Sequence, residues 1–173
     1  ASAGRIRVYK YNKLSELWDL IGNFNGASAG DYAGTFEGVS LSNSGNILAY
    51  GEAGYSTTGR ARTYSYDITS NTWTSLGDII PDGTYSSAVE LSNDGTVLAV
   101  CDPTNNYSGT TTTRIYKYSS GSWSQMGSTI TGLENGDSGG NISLSKNGNK
   151  IAIGYSHYDN LDTSDGLVQV YQY

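Results

Sequence analysis

Few residues in this chain could do chemistry by themselves. His157 is the single histidine and Cys101 the single cysteine. One imidazole cannot build a multi-histidine metal site. It also leaves a serine triad resting on one residue, with no nucleophile elbow to carry the serine. One thiol excludes an intrachain disulfide and leaves the redox compartment open. Cys101 stands in an apolar run where the related segments have Gly51 and Gly154, so it reads as a small buried side chain. Asp159, Asp162 and Asp165 gather carboxylates just before Gly166. Calcium takes about six to eight oxygens and this spacing fits no strong motif, so a solvated turn is the plainer reading. Paired acids for glycoside hydrolysis are defined in space, and no pair stands out. The chain is read as no enzyme and as holding no cofactor, with calcium the one candidate ion.

Modification and stacking chemistry are better represented. Asn106-Tyr107-Ser108 and Asn141-Ile142-Ser143 fit the N-glycosylation acceptor pattern, at a frequency no higher than chance in a chain so rich in Asn, Ser and Thr. Asn106 lies in the long loop 102–113, whereas Asn141 heads a strand and should point outward. Thr110, Thr111, Thr112 and Thr113 offer O-linked acceptors or a solvated, β-branched linker. Trp18, Trp73 and Trp123, with Tyr9, Tyr11, Tyr64, Tyr66, Tyr116 and Tyr118, offer sugar-stacking platforms. Because they recur at equivalent positions, packing between neighbouring sheets explains them better. The loop aromatics Tyr32, Tyr55, Tyr85, Tyr107, Tyr155 and Tyr158 answer no packing rule and are the better ligand candidates.

The elements that position these residues are strands. With 23 Gly, 15 Tyr, 2 Pro and 1 Met, the composition favours pleated surfaces joined by tight turns, and no window has sustained helical spacing. No apolar run approaches the roughly 20 residues of a membrane span. A net charge of −6 and a pI of about 4.5, with scattered basic residues, oppose a nucleic-acid partner.

The chain repeats itself. Arg5–Tyr11, Arg60–Tyr66, Thr113–Tyr118 and Leu167–Tyr173 all end in Tyr-x-Tyr and alternate with period two. Trp18–Gly22, Trp73–Gly77 and Trp123–Gly127 follow, each with an aliphatic residue three after the Trp and Gly four after. Next come Val39-Ser40-Leu41-Ser42, Val89-Glu90-Leu91-Ser92 and Ile142-Ser143-Leu144-Ser145. Each of these runs into a turn, Asn43-Ser44-Gly45, Asn93-Asp94-Gly95 or Lys146-Asn147-Gly148. The returning strands Ile47–Gly51, Val97–Cys101 and Ile151–Gly154 are nearly continuous apolar runs, as strands buried on both faces must be. The expected architecture is all-β: one repeat domain over 1–173, with three four-stranded antiparallel units near 5–59, 60–112 and 113–165. Residues 166–173 then supply the first strand of a fourth unit. Units of about 50–55 residues suit propeller blades, and the alternative is a β-trefoil.

This order of Val-Ser-Leu-Ser, Asn-Asp-Gly, Leu-Ala-Val and a final x-Val-x-Val-Tyr strand resembles the blade repeats of FG-GAP-like β-propellers, with Phe36-Glu37-Gly38 as a loosened start. The resemblance spans essentially the whole chain. It implies calcium in the turn loops, yet Ser42-Asn43-Ser44-Gly45 lacks the alternating Asp/Asn pattern and offers at most one or two oxygen ligands.

The fourth-unit strand is expected to lack its partners and to leave an open sheet edge. Arg5, Val8, Tyr9 and Tyr11 at one end, and Leu167, Val168, Val170, Tyr171 and Tyr173 at the other, are the candidate assembly strands between chains. The functional expectation is an extracellular or cell-surface structural protein, a filament or matrix subunit joined through sheet edges into a homo-oligomer or polymer, and glycosylated. Its alternative is a carbohydrate-binding propeller or trefoil with glycan partners.

Overall fold

The computed structural model describes residues 2–34, 38–55, 59–79, 88–102, 110–133, 139–155 and 166–173. Its elements are the strands β1 (Arg5–Asn12), β2 (Leu17–Asn25), β3 (Val39–Leu41), β4 (Ile47–Glu52), β5 (Arg60–Asp67), β6 (Thr72–Ile79), β7 (Ala88–Leu91), β8 (Val97–Asp102), β9 (Thr112–Ser119), β10 (Ser122–Thr131), β11 (Gly139–Leu144), β12 (Lys150–Tyr155) and β13 (Leu167–Gln172). Hydrogen bonding sorts them into four antiparallel sheets. The first is β1-β2, the second β3-β4-β5-β6, the third β7-β8-β9-β10 and the fourth β11-β12-β13.

Sheets and sequence units are out of phase by two strands. Each four-stranded sheet takes its inner pair from one unit and its outer pair, the Tyr-x-Tyr and Trp strands, from the next. The phase follows from what each strand can bury. The apolar runs of β4 and β8 must lie mid-sheet, and the alternating β5 and β9 cover their outer sides. Leu167–Tyr173 is therefore not without partners. β13 pairs with β12 along its whole length, from Lys150↔Gln172 to Tyr155↔Leu167. β1 likewise pairs with β2 from Arg5↔Asn25 to Asn12↔Leu17.

The sheets fan out from β3, β7 and β11. The turns after these strands are tied in a row, with Asn43 N–H donating to the Asn93 carbonyl and Asn93 N–H to the Lys146 carbonyl, both at 2.9 Å. One end of the fan carries short links, 13–16, 42–46, 68–71, 92–96, 120–121 and 145–149. Ser120 (φ 53°) and Gly121 (φ 85°) make the tightest of them, with both residues in the left-handed region as a type I′ hairpin requires. The other end carries the longer links, 26–38, 53–59, 80–87, 103–111, 132–138 and 156–166.

Three apolar clusters lie between successive sheets. Ile6, Val8, Leu48 and Tyr50 fill the first space, Ala49, Ala61, Val89, Leu98 and Val100 the second, and Ala99, Ile151 and Ile153 the third. Tryptophans sew the sheets together. Trp73 Nε1 donates to the Ile21 carbonyl and Trp123 Nε1 to Thr63 Oγ1, each at 2.9 Å. Trp18, in the first sheet, is 66% exposed. Cover by a preceding sheet decides burial elsewhere too: Val89 and Leu91 are 2% and 5% exposed, whereas their equivalents Val39 and Leu41 are each 46% exposed.

Candidate functional site

The long-link end is where charge is buried. β4, β8 and β12 each run apolar and then change character at one equivalent position, fixed by the registers Val39↔Tyr50, Val89↔Val100 and Ile142↔Ile153. That position holds Glu52, Asp102 and Tyr155, all nearly inaccessible. A carboxylate there needs partners, because a lone buried charge is expensive.

In the second sheet the partners are present. Glu52 faces Arg60 across the ladder, and Arg60 Nε donates to Glu52 Oε2 at 2.5 Å while its Nη1 reaches Asp78 Oδ2 at 2.9 Å. Arg62 adds a contact of 3.4 Å to Asp78 Oδ1 and one of 3.7 Å to Glu52 Oε1, the latter too long for a hydrogen bond. The Tyr55 ring lies 3.7 Å from the Arg60 guanidinium, and Arg62 sits 5.3 Å from the Tyr64 ring. Tyr64 stacks on Tyr50 at 5.9 Å, and burial raises the Tyr50 hydroxyl, which has no hydrogen-bond partner, above its ordinary range. The segment 26–34 covers this space, since Ala33 bridges Gly4 on one side and Glu52 on the other. Four charged side chains thus form one ion-pair network, in which Glu52 Oε1 is the one carboxylate oxygen without a hydrogen-bond partner.

The third sheet repeats the positions but not the closure. Asp102 is the equivalent of Glu52, and Arg114 that of Arg62, because Val100↔Arg114 matches Tyr50↔Arg62. Thr112 replaces Arg60. Asp102 is 5% exposed, and its Oδ1 has no hydrogen-bond partner. Arg114 Nη1 donates to Thr112 Oγ1 at 3.2 Å instead. Among the described residues every ion pair lies in the second sheet. Burial pushes the Asp102 carboxyl up to about 7, against a smaller pull downward from Arg114. Strand alternation puts Asp102, Val100 and Arg114 on the face toward the second sheet, whereas Glu52, Tyr50 and Arg62 face the first.

The residues singled out from the sequence fare differently. Asn106, His157, Asp159, Asp162, Asp165, Tyr85, Tyr107 and Tyr158 lie outside the described residues. Asn141 is exposed on β11. Thr111 and Thr113 are 0% and 1% exposed, so neither has surface to carry a sugar, while Thr110 and Thr112 are half-buried. Cys101 is buried as expected. Of the loop aromatics, Tyr155 is buried, Tyr55 is engaged by Arg60 and Tyr32 is exposed. The turn oxygens are used by the turns themselves. Ser92 Oγ donates to Asp94 Oδ1 at 2.7 Å and accepts from Val97 N–H at 2.9 Å, and Ser145 with Asn147 repeats the arrangement. The backbone N–H of Thr96, then Ser92, hold the Asp94 carboxyl below its usual value. Among the described residues no group of three His, Cys, Asp or Glu is placed to hold a metal.

The Glu52 and Asp102 positions were not singled out beforehand, although one signal was available: an acid closing an otherwise apolar strand in two units, with Arg7, Arg62 and Arg114 at one position of the next strand. Gly136-Asp137-Ser138-Gly139-Gly140 also spells Gly-x-Ser-x-Gly, but its last two residues open strand β11, whereas a nucleophile elbow leads into a helix.

No family model matches the sequence, and no curated protein does. Solved structures do match its shape. A candidate 6-phosphogluconolactonase of Bacteroides uniformis superposes with a TM-score of 0.65 at 18% identity, covering 98% of this chain and 44% of its own. Sqt1 of Saccharomyces cerevisiae gives 0.58 at 18% identity over 90% and 40%, and TolB of Acinetobacter baumannii 0.52 at 16% over 96% and 35%. The fold is that of a β-propeller. The chain spans less than half the length of these propellers. The trefoil alternative falls away, because its repeats close into one barrel rather than following one another as separate sheets. The comparison also overturns the expected extracellular filament or matrix subunit, because the propellers that share this shape are not filament subunits. It adds nothing in favour of the carbohydrate-binding alternative.

Proposed function

We propose that this propeller is a recognition module that binds without turnover at its long-link end, between the second and third sheets. The ligand is a group with a hydrogen-bond donor and an acceptor side by side, as in a carboxamide or a peptide unit. The donor meets Asp102 and the acceptor meets Arg114. The observation that carries this is the contrast at one repeated position: each carboxylate keeps one oxygen without a hydrogen-bond partner, but Glu52 is ion-paired with Arg60 through the other, whereas Asp102 has no ion pair among the described residues and Arg114 donates to Thr112 instead. A buried polar atom without a partner is what a ligand of matching chemistry satisfies. Binding without turnover is favoured because Glu52 and Asp102 serve different spaces between sheets, and so cannot flank one scissile bond. FG-GAP-like remains the proposed blade type, on the residue pattern of its turns and strands.

A titration with N-acetylglycinamide, followed by NMR of the Asp102 carboxyl and the Arg114 guanidinium, tests this. Saturable shifts are expected, lost in Asp102→Leu and in Arg114→Met. Binding should tighten as pH rises through about 7, because the ionised carboxylate is the better acceptor. Unmoved signals, or equal binding by both variants, would sink the assignment.

A further inference from the structure

The first and second spaces between sheets differ in one aromatic ring. In the first space that ring belongs to Phe24, on β2. Between ring centres it packs on Tyr64 at 4.6 Å, on Trp73 at 5.6 Å and on Tyr50 at 5.9 Å. All three partners belong to the second sheet, so Phe24 reaches across the space. Gly22 lies under the same ring: any side chain there would meet Trp73 Nε1 at 2.9 Å and Phe24 Cε2 at 3.0 Å.

The registers Ile6↔Phe24 and Ala61↔Ile79 put Ile79 at the place of Phe24 in the second sheet. Two of the surfaces that receive Phe24 are kept in the third sheet, as Tyr116 for Tyr64 and Trp123 for Trp73, whereas Val100 stands for Tyr50. Two rings of the four are thus exchanged for smaller aliphatic side chains. The indole also sits differently. Trp73 donates to the Ile21 carbonyl, but Trp123 donates to Thr63 Oγ1 and not to the carbonyl of Leu76, the counterpart of Ile21. Between the second and third sheets there is accordingly a cleft of about 380 Å³, lined chiefly by Leu76, Gly77, Asp78, Ile79, Tyr116 and Trp123. A side chain built on Gly77, the counterpart of Gly22, would meet nothing within 4 Å.

We propose that this cleft binds a small molecule through a single aromatic ring, which lies against Tyr116 and Trp123 as Phe24 lies against Tyr64 and Trp73. Its volume falls within the roughly 300–1,000 Å³ of small-ligand clefts. Tilted and edge-on aromatic contacts select a flat ring over a saturated one of the same size. The Asp78 carboxylate in the lining is already paired with Arg60 and Arg62, so the ligand needs no charge. The occupant is defined by the filled counterpart in the same molecule, and this inference is independent of the ligand assigned to Asp102.

The test is an NMR titration of the full chain with benzyl alcohol, with cyclohexylmethanol as the saturated control, read at the tryptophan indole N–H signals. Saturable shifts are expected at Trp123, with a Kd on the order of 1 mM, and none at Trp73, where Phe24 already fills the site. Ile79→Phe rebuilds the ring of the first space and should abolish the Trp123 shift without lowering the thermal melt. Phe24→Ile makes the reverse exchange and should give Trp73 a response of its own. An unmoved Trp123 signal at the solubility limit of benzyl alcohol overturns the proposal. So do equal shifts with cyclohexylmethanol, or undiminished binding in Ile79→Phe.

Discussion

The second and third sheets put the same kinds of residue at the same ladder positions and reach opposite outcomes. In the second, Glu52, Arg60, Arg62 and Asp78 close into a network beneath Ala33. In the third, Thr112 stands where Arg60 would, and Asp102 is left with a free oxygen and a raised pKa. Three exchanges in a repeat, Glu52 to Asp102, Arg60 to Thr112 and Asp78 to Ser128, thus separate an ion-pair cluster from a polar site able to accept a ligand. A buried carboxylate ion-paired with an arginine, as Glu52 is with Arg60, is a structural unit. A carboxylate at the same place without that ion pair is left to a ligand.

The comparison breaks most severely at Arg60. Arg60→Met strands Glu52 as an uncompensated buried charge and should cost about 3–5 kcal/mol in urea denaturation. Arg114→Met, at the matching point of the open site, should change stability by about 0.5 kcal/mol or less. Equal losses in the two variants would mean that the open site is closed in solution. Next in size is the indole that joins the two sheets. Trp123→Ala should cost about 3 kcal/mol, against about 0.5 kcal/mol or less for the exposed Trp18→Ala, both read from denaturant midpoints.

The third test is pH. Asp102 titrates near 4 in the unfolded chain and near 7 in the folded one, so the folded state holds the proton more tightly. Its favourable contribution is full below about pH 4, falls as pH rises toward 7, and is flat above. The stability of Asp102→Asn relative to the parent should therefore rise by on the order of 2 kcal/mol between pH 4 and pH 7. A difference independent of pH would place Asp102 in a polar, solvated setting. The smallest effect is expected from Thr63→Val, which removes the acceptor of the Trp123 indole and should cost about 1 kcal/mol by thermal denaturation. Trp73 has no such weak point, because its acceptor is the main-chain carbonyl of Ile21.

Much of the fold was legible beforehand because strands announce themselves locally. The Tyr-x-Tyr alternation, the Asn-Asp-Gly turn and the apolar run of β8 are statements about a few neighbouring residues. The packing expected of the recurring tryptophans holds for Trp73 and Trp123, which meet the sheet before them, and not for Trp18, which is exposed. The partner of Leu167–Tyr173 was not legible. The sequence unit begins at that strand, but the sheet begins two strands earlier, and only hydrogen bonding reveals the phase. The site was less legible still: Glu52 and Asp102 look alike in their strands, and their fates depend on Arg60 and Thr112 across the ladder.

The sequence alone determined the all-β class, the repeat, the turns and the core strands, because hydrophobic period and turn chemistry act between near neighbours. Tertiary structure alone decided which strands share a sheet, which tryptophans find cover and which of two equivalent carboxylates is ion-paired. These depend on contacts between residues far apart in the chain, where position in the row of sheets matters as much as residue type.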